Sequence, residues 1–204
     1  KLTVLTALPA GVGLSVLAEP ILLLLYPAVP DTARAAAYHL TFLGLACVFV
    51  CLMVAANGVL QAYGHPLVPV LALLCGGVLK VVTNYLMVGD PATGIRGAAV
   101  STLYCYALIV LIDLIAIARL VPERPGYIRL FARPVLVTAV MALAARSGYG
   151  LFCRVLPERW AVLPAIAVAA AVYGILALAV GAVTRTDVVT LPKGEKIADF
   201  LHLR

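Results

Sequence analysis

The chain has 204 residues, of which 64% are apolar and only 12% are charged, and its mean hydropathy is +1.11. An ordinary soluble domain carries about 25% charged residues, and a domain of this size has too little interior to bury so many apolar side chains. These values argue against a soluble enzyme, a secreted disulfide scaffold and a disordered chain. They predict an all-α, polytopic membrane helix bundle, with room for about six transmembrane helices of about 20 residues each.

Six apolar segments follow one another along the chain, and each is long enough to cross about 30 Å of hydrocarbon. They are residues 5–26, 35–61, 67–88, 97–119, 128–155 and 160–183. Continuous apolar runs of this length favour helices over the short alternating strands of a membrane barrel. From residue 184 onward the sequence is polar, and we expect a tail there.

Proline and glycine mark the bends and turns of these segments. Pro9 and Pro20 lie inside the first segment and predict that it is bent or loosened. Gly64 and Pro66 predict a sharp stop after the second segment. Asp31 is expected to cap the helix that begins the second segment.

The net charge of +6, from 15 Lys and Arg and 9 Asp and Glu, would raise nucleic acid as a partner of a soluble protein. Here most basic residues flank apolar segments, so they indicate membrane topology and no nucleic-acid site. With alternating spans, nine basic residues fall on the side of Lys1 and four on the other side. This asymmetry predicts that both ends of the chain, and the 62–66 and 119–133 connections, are cytoplasmic. The chain begins without Met and without a signal-peptide pattern, and we expect it to be a piece of a longer protein.

Two polar residues of the third segment are the first candidates for a functional site. Lys80 and Asn84 are four residues apart, so they share a helix face with Gly77. Lys80 lies roughly 13 Å from the outer end of this segment, where a charge is expensive. We expect the three residues to point toward the bundle interior or a water-filled cleft, where Lys80 would attract an anionic substrate. The alternative is a lysine that snorkels or pairs within the bundle.

Other polar residues inside the segments are further candidates for the substrate pathway. Asn57 and Gln61 are four residues apart near the cytoplasmic end of the second segment, and helix–helix hydrogen bonding is their alternative role. Glu19, toward the outer end of the first segment, can carry a proton, cap the bend or reach the outer interface. Asp113 is about 10 Å from Lys80 along the membrane normal, too far to pair with it, and is expected at the cytoplasmic interface.

Small residues recur at helical spacing in three segments, which lets helix backbones approach closely in lipid. We expect Gly174, Ala177 and Gly181 of the last segment to face a neighbouring helix. Arg146 is expected to mark a helix end or a polar turn. The five cysteines lie in apolar stretches and are expected to pack as small apolar side chains, without a metal or redox role. The stripes are Gly44, Cys47, Cys51, Ala55 and Gly58; Gly94, Ala98, Ser101 and Cys105; and Ala167, Ala170, Gly174, Ala177 and Gly181.

Enzyme signatures are missing from the sequence. The nine acidic residues are scattered, and no GxSxG, HExxH or P-loop pattern occurs. The sequence therefore predicts no catalytic residues, no metal site and no cofactor, and it leaves the identity of a coupling ion open.

Five motifs in order resemble those of the multidrug/oligosaccharidyl-lipid/polysaccharide (MOP) flippase superfamily. The resemblance is to the branch of stage V sporulation protein B, which is related to lipid II flippases of the MurJ kind. The motifs are PAGVGLSVLAEPI at 9–21, NGVLQAYGHP at 57–66, KVVTNYL at 80–86, GIRGAA at 94–99 and the polar stretch at 184–196.

This resemblance implies that the chain is the last six of fourteen helices in a two-lobed transporter. Residues 1–119 would form four helices of the C-terminal flippase lobe, 120–183 two additional transmembrane helices, and 184–204 a cytoplasmic tail. The implied function is non-enzymatic: a flippase in a bacterial cell membrane that moves undecaprenyl-linked precursors, such as lipid II, by alternating access. Such a flippase would serve polysaccharide, peptidoglycan or spore-cortex synthesis. Its implied partners are a lipid-linked oligosaccharide, membrane lipids and the N-terminal lobe of the same protein.

Two other functions remain open on the sequence. One is a Na⁺- or H⁺-coupled drug or metabolite exporter of the same fold, which needs a membrane-embedded carboxylate, for which Glu19 is the candidate. The other is a membrane scaffold that recruits cell-wall synthases through the 119–133 connection and the tail without transporting anything.

Overall fold

The computed structural model describes residues 1–90, 93–122 and 127–181, and the side chains of 127–130 are excluded from the description. Every regular element in these ranges is an α-helix. The helices are α1 Leu2–Val16, α2 Ala18–Leu25, α3 Pro30–Ala62, α4 Leu67–Val88, α5 Arg96–Leu120, α6 Tyr127–Phe152 and α7 Glu158–Ala179. The expected tail at 184–204 lies outside the described residues, as does part of the 119–133 connection.

The helices have the length and composition of membrane spans. Within the described ranges, five helices are long and apolar enough to cross a membrane, and the bent pair α1–α2 gives a sixth span if it is counted as one. The chain is therefore an all-helical, multi-pass membrane protein, which confirms the predicted fold class. The predicted third segment, 67–88, has the same bounds as α4.

The first predicted span is sharply bent, as its prolines indicated. The axes of α1 and α2 differ by 72°, and the break falls at Leu17. Pro20 explains the position of the break, because it has no N–H to donate to the Val16 carbonyl and its ring crowds that carbonyl. Pro9, in contrast, lies inside α1, which runs through it without interruption.

The close crossing of α1 and α3 depends on two glycines and two hydroxyl side chains. A Cβ atom added to Gly44 would lie 2.9 Å from the Gly11 carbonyl oxygen and 2.5 Å from the Ser15 hydroxyl oxygen. Ser15 donates a 2.8 Å hydrogen bond to the Thr41 carbonyl, and Thr41 donates a longer one, 3.4 Å, to the Ser15 carbonyl. Small residues and interhelical hydrogen bonds are the means by which helices associate in lipid.

The helices pack in an order that leaves α4 at one edge. The α5 helix lies between α3 and α4, α3 packs on α1 and α2, and the α6–α7 hairpin packs on the other side of α1 and α2. Gly76 brings α4 close to α5, because a Cβ there would meet the Ile109 side chain. The opposite side of α4 is open, and its large side chains are strongly exposed: Leu74 61%, Val78 65%, Val81 70% and Tyr85 81%.

Three local predictions were wrong. Gly174 is exposed and a Cβ there would meet open space, so of the expected stripe only Ala177 is buried. Asp31 does not cap α3, because Pro30 is the first helical residue, the N-cap is Val29 and no side-chain cap bond forms. Arg146 marks no helix end, since α6 continues through it to Phe152 and leaves its side chain exposed.

Candidate functional site

Lys80 and Asn84 lie along the boundary between the packed and the open sides of α4. Ser101 of α5 is fully buried, and its hydroxyl donates a 3.2 Å hydrogen bond to the Asn84 side-chain oxygen. Lys80, one turn earlier on the same helix, is half-buried. Gly77, which was expected to share their surroundings, is exposed on the open side.

This arrangement gives α4 a polar strip within a strongly apolar helix. A lysine at this depth in a membrane must face protein or water, because lipid cannot solvate its charge. The open side of α4 begins next to Lys80, so additional protein or a water-filled space has to cover this strip in the membrane. A cation with an amide one turn away can bind an anionic group and hydrogen-bond to neighbouring hydroxyls.

Asn57 and Asp113 occupy the interior of the same helix group. Asp113 is fully buried, and neither of its carboxylate oxygens has a hydrogen-bond partner among the described residues. The side-chain oxygen of Asn57 is also buried and is likewise unpartnered in that part of the chain. The predicted depth of Asp113, near the cytoplasmic interface, stays a prediction, and the structure shows that its side chain is enclosed by the packed helices. Gln61, expected beside Asn57, is exposed.

Glu19 lies in a charged group where the starts of α2, α3 and α7 meet, and its side chain is about half exposed. Arg34 of α3 is 3.5 Å from Glu19 of α2 and 3.7 Å from Glu158 at the start of α7. It also lies 3.9 Å from Asp31 on its own helix. Exposed pairs of this kind each contribute little, about 0–1 kcal/mol, so their main effect is to hold the ends of three helices in register.

The remaining proline and glycine positions form the α3–α4 turn. Gly64 has a φ of +80°, a left-handed conformation that glycine adopts without strain, and Pro66 is the N-cap residue of α4. The turn lies where the sequence predicts it.

An apolar groove of about 540 Å³ runs between α1, α6 and α7. Pro9, Leu14, Met141 and Ile166 are among its lining residues, and Tyr173 supplies the main polar group. The Tyr173 hydroxyl is occupied, because it donates a 2.7 Å hydrogen bond to the Leu5 carbonyl. That carbonyl is available because Pro9, four residues later, has no N–H for it. The groove is therefore suited to an apolar chain and not to a polar head group.

Comparison with known proteins gives two similarities. Residues 1–86 match the MatE family model. The chain is also 26% identical over 213 aligned positions to the uncharacterized membrane protein YabM of Bacillus subtilis (strain 168). That alignment covers all of this chain and 38% of YabM, so the chain spans well under half the length of this relative. No solved structure matches.

These similarities agree with the transporter resemblance at a coarse level. The MatE match includes three of the five motifs, at 9–21, 57–66 and 80–86, and with them Lys80 and Asn84. The relative is a membrane protein, in keeping with the helical architecture described above. The chain is thus a multi-pass membrane protein whose first 86 residues are similar to the MatE family.

Sequence reasoning missed the burial of Asp113, which follows from the burial of its face of α5. Asp113 is four residues from both Ile109 and Ile117, so the three residues share one face of α5. Both isoleucines are buried, at 1% and 6% exposure. The sequence prediction used only the position of Asp113 along the helix. Its surroundings depend on the side of α5 on which it lies.

Proposed function

We propose that this chain is part of a MatE-type membrane transporter that flips undecaprenyl-linked cell-wall or polysaccharide precursors, lipid II-like molecules, between leaflets. The MatE match of residues 1–86, the multi-pass helical fold and the five motifs support a transporter. The transport itself would require no bond-making chemistry. The protein would shield the polar head group while the polyprenyl chain stays in an apolar environment.

One observation carries the proposal: the half-buried Lys80 lies in the middle of α4, beside the open side of that helix. The diphosphate of a lipid-linked sugar is strongly anionic, and a lysine is a point charge that binds phosphate. Asn84, one turn away, offers an amide for sugar hydroxyls, although its oxygen already accepts a bond from Ser101. Asn57 and Gln61 would border the cytoplasmic end of the same pathway.

The apolar groove supports a lipid-linked substrate independently. It lies on the far side of α1 from α4 and is lined almost wholly by aliphatic side chains, so an isoprenoid chain could lie in it. A water-soluble substrate would gain nothing from such a groove, since apolar surfaces favour apolar ligands.

In this proposal the chain supplies one lobe and further helices. Residues 1–119 form four spans of the C-terminal lobe, with the bent pair α1–α2 counted as one, residues 120–183 add two spans, and the second lobe comes from sequence outside this chain. The lobes rock to expose Lys80 alternately to the two sides of the membrane. Both ends of the chain and the 62–66 and 119–133 connections are cytoplasmic in this proposal, so a cysteine at Pro66 should resist an impermeant thiol reagent added outside intact cells. Strong labelling there would contradict the proposed topology.

Depletion of the full-length protein in its bacterial host is the experiment that tests the function. We expect an undecaprenyl-linked sugar precursor to accumulate in the cytoplasmic leaflet, and re-expression of the protein should clear it. If lipid-linked precursors remain at normal levels in both leaflets while the cell exports fewer small molecules, the flippase assignment is wrong.

The second candidate function is a cation-coupled exporter of drugs or metabolites with the same fold. A specific observation favours it: Asp113 is a buried membrane carboxylate, which such coupling needs, whereas Glu19 is exposed and paired with Arg34. An exporter would leave lipid-linked precursors unchanged on depletion, so the same experiment separates the two functions.

A further inference from the structure

The interface between α3 and α5 contains three side-chain oxygens that lack a hydrogen-bond donor among the described residues. Two belong to the carboxyl group of Asp113 and the third to the amide of Asn57. A buried polar atom without a partner is costly, and a buried unpaired charge is more so. A ligand that none of these side chains supplies must therefore satisfy the oxygens.

The two residues lie in the same layer of this interface. On one side of them, Met53 of α3 packs on a cluster that contains Ile109 of α5. On the other side, Leu60 of α3 belongs to the cluster that contains Ile117 of α5. Asn57 lies between Met53 and Leu60 at helical spacing, and Asp113 lies between Ile109 and Ile117 in the same way. The polar layer is thus enclosed between two hydrophobic layers.

The helices α3, α4 and α5 carry no other charged side chain at the level of this polar layer. On α4, Gly76 packs on Ile109 and Asn84 is hydrogen-bonded to Ser101, and Lys80 lies midway between them. Lys80 is therefore near the level of Cys105, which is eight residues and thus roughly 12 Å from Asp113 along α5. On α5, Arg119 is exposed. The charged side chains of α3 all lie within its first five residues. Apart from Arg96 at the start of α5, the other titratable side chains of these three helices are Tyr38, His39, Cys47, Cys51, Cys75, Tyr85, Tyr104, Cys105 and Tyr106.

The number of unpartnered oxygens in this layer favours a proton over a metal ion as the missing ligand. Hard cations such as Mg²⁺ and Ca²⁺ take about six or more oxygen ligands, and the helical carbonyls around this layer are used by the helices themselves. Three oxygens fall short of such a shell. A single proton on the carboxyl group removes the charge and also creates one O–H donor for the remaining oxygens.

We propose that Asp113 is a proton-binding site, at which the protonated carboxyl group donates a hydrogen bond to the Asn57 side-chain oxygen and joins α5 to α3. No covalent bond other than O–H forms or breaks. Release of the proton leaves a bare carboxylate between two hydrophobic layers, so deprotonation requires α3 and α5 to separate or water to enter. The inference goes beyond the proposed function, since it holds whatever substrate the transporter carries.

Infrared spectroscopy of the protein in lipid nanodiscs at neutral pH tests this directly. We expect the carbonyl band of a protonated carboxylic acid, which Asp113→Asn abolishes and which exchange of Na⁺ for K⁺ or choline leaves unchanged. Asn57→Leu should shift the band to higher frequency, because the acid loses its acceptor. Glu19→Gln is the matched control and should leave the band intact, since Glu19 is exposed.

A second measurement avoids dependence on the variants. Labelling all aspartates of the unmutated protein with ¹³C at the carboxyl carbon should move the same band, because it arises from an aspartic acid. A labelled protein with only carboxylate bands at neutral pH would overturn the proposal. A protonated band that disappears when Na⁺ is added, but not when choline is added, would overturn it in favour of a metal-cation site.

Discussion

Lys80 and Asp113 are both ionisable residues inside membrane helices, and the fold gives them opposite surroundings. Lys80 lies half-buried on the edge helix α4, next to a side with no protein packed against it among the described residues. Asp113 is fully buried on α5, between α3 and α4, with hydrophobic layers above and below. Depth in the membrane alone therefore does not determine whether a residue can contact a substrate. The direction of its helix face decides whether it can meet a substrate.

The largest effect on transport is expected from removing the charge on the open side. Lys80→Met keeps the side-chain length, and in the full-length protein we expect transport to fall about tenfold to a hundredfold. A contact to a charged group contributes about 1.5–3 kcal/mol, which corresponds to that range in rate. Leaflet-resolved measurement of the lipid-linked precursor gives the readout, and membrane abundance should stay near normal.

Two variants control for this result. Lys80→Arg retains the charge and should retain most activity, whereas Arg146→Met removes an exposed charge elsewhere in the helices and should change little. Full activity in Lys80→Met would assign Lys80 a purely incidental role. Loss of protein from the membrane would assign it a structural one.

Reversing the charge at Lys80 and at Asp113 compares the stability of the exposed and the buried site. Asp113→Lys places a longer, unpaired cation between two hydrophobic layers, and we expect a loss of about 3–5 kcal/mol in the free energy of unfolding. Lys80→Glu makes the opposite reversal on the open side and should leave the thermal unfolding midpoint within a few degrees of the unmutated protein. Equal destabilisation by both variants would show that the two sites do not differ in burial.

A pair of glycine substitutions compares packed and open helix faces in the same way. Gly44→Ala forces a Cβ against the Gly11 carbonyl and the Ser15 hydroxyl, and overpacking of this kind costs about 1–3 kcal/mol. Gly174→Ala adds the same methyl group in open space and should cost nothing. Thermal unfolding in detergent measures both, and a stable Gly44→Ala variant would contradict the close crossing of α1 and α3.

Hydropathy and proline positions predicted the elements well, and they predicted helix faces poorly. The bounds of α4, the turn at Gly64 and the bend before Pro20 all follow from the sequence. The orientation of Gly174 and Asp113 did not follow, because lipid-facing and protein-facing sides of a membrane helix are equally apolar. A packed face is recognisable where small residues and hydroxyl side chains occur together, as at the Gly11–Gly44 crossing.

The smallest effect is expected at Tyr173. Tyr173→Phe removes the donor to the Leu5 carbonyl and should cost about 0.5–1.5 kcal/mol. In a Pro9→Ala background the restored N–H at position 9 can bond that carbonyl, so Tyr173→Phe should then cost measurably less. A double-mutant cycle on thermal or denaturant unfolding measures the coupling, and additive effects would contradict the link between Pro9 and Tyr173.

Aqueous thiol labelling at the two contrasted positions tests the central claim, that α4 presents Lys80 to a water-filled pathway while Asp113 is sealed inside the helices. Lys80→Cys and Asp113→Cys are made in the full-length protein with its native cysteines replaced, and membranes are treated with a water-soluble maleimide. We expect rapid labelling at position 80, and none at position 113 until the protein is denatured. Labelling of position 113 as fast as position 80, or protection of position 80, would contradict it.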